Sequence, residues 1–169
     1  MSAEFKAKIH SWLVTMGHTP VEQDDPQASW HFVVDCPPRS PERVSVLEPA
    51  AHPGRVIIAV GTEISPEHRE GFDKLDDDAK ETFQWQFRHA LNNHDVDFKI
   101  QGAETLHECP KNFQILAVRY EDGLTLDSFA RSIGAVHKTR LKGIWLVQEQ
   151  LGPRGFGAGG RFDFKKLGF

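Results

Sequence analysis

The sequence predicts an α+β domain, an antiparallel five-stranded sheet with elements in the order α-β-β-β-α-β-β-α. Two observations carry this. First, the long segment from Ser65 to His94 has strand-like runs on both sides of it. Within it, Phe72, Leu75, Ala79, Phe83, Phe87, Ala90 and Leu91 recur at helical steps, and at ~100° per residue they form one apolar stripe. Second, consecutive strand-like runs lie too close in sequence for crossover helices, so neighbours must pair antiparallel. A chain of 169 residues can bury a real core, and no repeat or linker divides it.

Residues 3–17 read as the first helix. Ser2 stands at the N-cap, Phe5, Ile9, Trp12, Leu13 and Met16 share a face, and Gly17 ends it. From Trp30 to Asp35, apolar Trp30, Phe32 and Val34 alternate with His31, Val33 and Asp35, the pattern of a half-buried strand. Prolines 37, 38 and 41 then make a loop, because they cannot donate to a ladder. Val44 to Leu47 gives the second strand. Val56 to Val60 gives the third, apolar on both faces and therefore central.

Ser65 caps the next helix, Pro66 takes its first position and Glu67 suits the positive end of its dipole. Gly71 and the run Asp76-Asp77-Asp78 predict a break, with a short helix over 66–73 and a long one over 77–93. Val96 to Ala103 and Phe113 to Tyr120 supply the last two strands. Thr125 caps a final helix striped by Leu126, Phe129, Ala130, Ile133, Val136, Ile144, Val147 and Leu151, which Gly152-Pro153 ends. Residues 1–152 thus read as a single domain and 153–169 as a flexible, glycine-rich basic tail.

This order resembles the type III secretion chaperone-like fold, which includes a sensory-transduction-regulator-like family and a small uncharacterised prokaryotic family of similar length. The residues behind the comparison are Ile9-His10-Ser11-Trp12-Leu13, the Trp30-His31-Phe32 strand, Tyr120-Glu121-Asp122-Gly123-Leu124-Thr125 leading to Phe129, and Ile144-Trp145-Leu146. The likeness spans residues 3–151. It implies a scaffold, frequently dimeric, that presents a sheet and helix surface to an extended partner segment, and it implies no catalytic activity.

Composition narrows the function classes. No apolar run approaches the ~18 residues a membrane span needs, and the N-terminus lacks a signal peptide's apolar core. With two cysteines there is no disulfide framework, so a reducing cytoplasm is expected. The formal charge of −4 divides into +3 on residues 153–169 and −7 on the rest, so nucleic acid could be met only through the tail.

Catalytic and cofactor signatures are weak. Gly155-Phe156-Gly157-Ala158-Gly159-Gly160 spells G-x-G-x-x-G, but it follows a helix and leads to the chain end, whereas a dinucleotide fingerprint joins a strand to a helix. No cofactor is therefore expected. His89 and His94 are too far apart on a helix to share a face, and His107 with Cys109 has no matching second pair, so no metal site is expected either. Cys36 and Cys109 are read as inert thiols, with a cysteine–histidine enzyme as an alternative.

The misplaced aromatics carry more. Trp85 lies off the apolar stripe, on the face of Asp78, Glu81, Arg88 and Asn92, and Trp145 and Leu146 lie off the stripe of the last helix. A covering loop or the tail would hide them; otherwise Trp85, Arg88, Trp145 and Leu146 form an interface. Arg140 falls inside the stripe, where snorkelling is the expected resolution and a buried ion pair with a partner is the alternative. The sequence thus points to a non-catalytic, homodimeric protein-binding or chaperone-like adaptor. The alternative is an RNA-associated accessory protein using Arg154, Phe156, Arg161 and Phe162 in the tail.

Overall fold

The structure, a computed structural model, describes residues 2–152. Among the described residues, four α-helices and six strands follow in the order α1 (Ser2–Thr15), β1 (Val21–Glu22), β2 (Ala28–Asp35), β3 (Arg43–Pro49), β4 (Arg55–Glu63), α2 (Pro66–Asp73), α3 (Asp77–Leu91), β5 (Asp97–Gln101), β6 (Asn112–Tyr120) and α4 (Leu126–Leu151), with one 3-10 turn at Glu121–Gly123 before α4. The strands form one sheet in the order β1-β2-β3-β4-β6-β5. Every neighbour pair is antiparallel.

The predicted class and pairing sense hold, and the count of five strands is corrected to six. The extra strand, β1, pairs Val21 with Val33 and Glu22 with Phe32 at the sheet edge. Two residues carry no readable period, so only the neighbouring β2 defines this strand. α1 also differs slightly: Ser2 is its first helical residue rather than its cap.

The break in the middle helical segment comes from its caps. Ser65 accepts from the amide of His68, and Asp76 Oδ1 accepts from the amide of Ala79 at 2.8 Å. Thr125 and Ser128 form a reciprocal capping box at the start of α4. Each device satisfies amides that the first turn of a helix leaves without partners.

One large core fills the space between the sheet and the helices. Trp30, Phe32, Val46, Ile58, Val60, Phe113 and Ile115 meet Phe5, Ile9 and Leu13 of α1, Phe72 of α2, Phe83 and Phe87 of α3, and Phe129, Val136 and Val147 of α4. Phe72, Phe83, Phe87 and Phe113 form an aromatic row with successive ring centroids 5.5, 5.7 and 5.2 Å apart. β4 is central and apolar on both faces, as its sequence predicts. Its other face joins a second, smaller cluster of Leu47, Ile57, Ala59 and Leu116.

No helix among the described residues is long and apolar enough to cross a membrane.

Candidate association surface

α3 and α4 lie side by side in opposite directions. Gln86 bonds Gln150, Leu91 approaches Gly143, and Asn93 reaches Thr139. Their inward faces carry the buried phenylalanines and valines of the core. Their outward faces carry the two indoles, Trp85 at 53% exposure and Trp145 at 60%. Trp85 has a histidine for company, the His89 ring at 6.2 Å, and Glu81 one turn before it is engaged with His107 at 3.0 Å.

The other two interface candidates are less exposed than the indoles. Leu146 is half-buried and packs against the main core, because its position on α4 lies at the margin of the buried stripe. Arg88 turns back along α3 and donates to both the carbonyl and the side-chain oxygen of Gln84. Its guanidinium is thus held within its own helix.

Arg140 does not snorkel. It is 2% exposed, its Nε donates to Thr62 Oγ1 at 2.9 Å, and its Nη1 lies 2.8 Å from Glu42 Oε2. His137 Nδ1 is 3.5 Å from the same carboxylate oxygen. An arginine inside an apolar stripe signals a buried acid somewhere, yet Glu42 is one of 24 acidic residues and sits in the loop before β3. No local pattern selects it.

Cys36 shares this neighbourhood without the electrostatics of a nucleophile. Burial pushes its thiol up to about 11, Glu42 adds to the rise, and Arg140 opposes it. His137 is held below the ordinary imidazole value, chiefly by burial, with Glu42 opposing. A protonated thiol and a neutral imidazole result, the reverse of a thiolate–imidazolium pair. Cys109 is driven in the same direction, to about 12, by burial and then by Asp73.

Among the described residues, no group of three His, Cys, Asp or Glu side chains is placed to hold a metal ion. The G-x-G-x-x-G stretch and the tail candidates Arg154, Phe156, Arg161 and Phe162 lie outside the described residues.

A profile of uncharacterized conserved proteins, DUF2299, matches residues 5–147. The chain belongs to the DUF2299 family. The crystal structure of an uncharacterized protein from Methanothermobacter thermautotrophicus is similar, with a TM-score of 0.78 and 28% sequence identity over 87% of this chain and 99% of that one. No curated protein matches. The part of the chain matched to DUF2299 takes in Trp85, Trp145 and the Arg140–Glu42 pair, and it stops short of the tail.

Proposed function

We propose that this DUF2299 chain is a non-catalytic, chaperone-like binding module that works as a homodimer, joined through the outward faces of α3 and α4. The observation that supports this reading is the exposure of Trp85 and Trp145 on two helices packed against each other. An indole is the largest apolar side chain, and two of them left in water on adjacent helices are the composition of an interface centre rather than of a bare surface. A second copy presenting the same face would bury both pairs by two-fold symmetry.

The raised thiols of Cys36 and Cys109 favour a binding role over a cysteine–histidine enzyme. Pull-down between two differently tagged copies, expressed together, tests the reading. Recovery of both tags is expected. A protein that sediments as a monomer at every concentration overturns it.

A further inference from the structure

The outward face that α3 and α4 share carries opposite charge at its two ends. At ~100° per residue, Asp78 and Glu81 precede Trp85 on its side of α3, and His89 and Asn92 follow it. On α4, Lys138 and Lys142 precede Trp145 on its side and Glu149 follows. All of these residues are exposed, as is Asp77.

The register between the helices sorts the charges. Gln86 bonds Gln150, and Leu91 lies against Gly143. The start of α3, with Asp77, Asp78 and Glu81, therefore lies at the same end as Glu149. Lys142 and Lys138 lie at the other end, next to Gly143 and Thr139, which adjoin Leu91 and Asn93. The two indoles stand between, offset by about five residues or ~7 Å along the helix axes.

Local pairing leaves both ends charged. Among the described residues, Asp77, Asp78, Glu149, Lys138 and Lys142 form no ion pair. Lys80 lies on the other side of α3, over the Phe72 ring at 5.9 Å. Glu81 has the His107 ring at 3.0 Å. Arg131, farther along the α4 stripe, is taken up by Asp127 one turn away. Asp95 shares the basic end, but its carbonyl accepts from Arg119 Nη2 at 3.1 Å, which brings a further cation there.

A face with its two signs in separate halves is complementary to its own reversed copy, and it repels a partner of single sign at one end. We propose that two copies of this chain join with these faces antiparallel, each acidic end over the other copy's basic end. The two-fold axis then lies in the interface and runs across the helices between Trp85 and Trp145, gathering four indoles at the centre. A parallel arrangement would stack like charge on like. The proposal rests on the reading that α3 and α4 join the copies, and adds the orientation of the pair and its control by ionic strength.

Charge reversal in the full chain tests it. Asp78→Lys/Glu81→Lys makes both ends basic, and Lys138→Glu/Lys142→Glu makes both acidic. By sedimentation velocity, each variant alone should associate about 10-fold more weakly than the unaltered protein or worse. An equimolar mixture should recover to within a few-fold, as a pair containing one chain of each kind, with circular dichroism native throughout. A second measurement needs no variant: the dissociation constant of the unaltered protein should rise several-fold between about 50 and about 500 mM salt. A mixture no tighter than its components, or a dissociation constant indifferent to salt, overturns the orientation. If Trp85→Ala and Trp145→Ala still weaken the pair in that case, the α3–α4 reading stands without it. An unaltered protein that is monomeric at every concentration overturns both.

Discussion

Arg140 on α4 and Glu42 in the β2–β3 loop form an ion pair at 2.8 Å across 98 residues of sequence. The arginine is 2% exposed and also donates to Thr62 of β4, so one side chain ties a helix to both the sheet and a loop. Removing one member of such a pair leaves a buried charge without compensation. Glu42→Ala should therefore cost about 3 kcal/mol, the low end for a buried pair because the glutamate is partly solvated. Glu42→Ala combined with Arg140→Met should recover most of that loss. Urea midpoints of the two variants and the unaltered protein check it, and equal loss in the single and double variants would contradict it.

Two glycines of α4 should respond oppositely to alanine. At Gly143 a Cβ would lie 2.9 Å from Leu91 Cδ2 and 2.9 Å from Phe113 Cε2, both held in the main core. Gly143→Ala is expected to destabilise by about 1–3 kcal/mol through overpacking. At Gly134 a Cβ meets nothing within 4 Å, so Gly134→Ala should stabilise by about 0.5–1 kcal/mol through helix propensity alone. Thermal melts of both variants decide the matter.

These two glycines illustrate what the sequence could and could not say. Helices and their ends were readable because they are local: Ser65, Asp76 and Thr125 cap where their types and spacing predict. β4 was readable as central because Val56 to Val60 is apolar at every position. The strand Val21–Glu22 was not, since only its pairing with β2 makes it one. Arg140 was visible as an anomaly, but its partner lies too far along the chain for any spacing rule. The outward indoles were legible from helical angle. The half-burial of Leu146 was not, because it depends on how far neighbouring elements wrap α4.

The two thiols should be nearly inert in the folded protein. Burial leads in raising Cys36 from 9.0 to about 11 and Cys109 from 9.0 to about 12. A two-unit rise cuts the thiolate fraction at mildly alkaline pH about 100-fold. Reaction with a thiol reagent should therefore be slow in native buffer and complete in urea. Because the folded values lie above the unfolded ones, this contribution to stability is full below pH 9.0 and is lost as pH rises beyond it. Rapid native labelling of either cysteine would refute the assignment and reopen thiol chemistry.

Stability should also fall on mild acidification. His31 and His137 are both held below 6.5, chiefly by burial, against the opposing pull of Asp25 on His31 and Glu42 on His137. A folded value below the unfolded one means that the unfolded chain takes up protons first. The contribution is therefore complete above pH 6.5 and declines as pH drops through 6.5 towards the folded values. The urea midpoint at about pH 5.5 should lie below that at about pH 7.5, before most carboxylates titrate. In a His31→Gln/His137→Gln variant the difference should shrink. An equally steep decline there would assign the effect to other groups.

Trp85 and Trp145 separate folding from association, because each indole contributes to the monomer only what a surface side chain can. At 53% and 60% exposure, truncation to alanine should shift the unfolding free energy of dilute protein by less than about 0.5 kcal/mol. At a dimer interface the same truncation removes an anchor, and a central tryptophan is worth about 2 kcal/mol or more, roughly 30-fold in dissociation constant. Sedimentation velocity across a concentration series, beside dilute urea melts, reads the two effects separately. The expected pattern for each single variant is an unchanged melt with weakened self-association, and the double variant should be monomeric. If the melts collapse while association persists, the indoles belong to the fold and a different surface joins the copies.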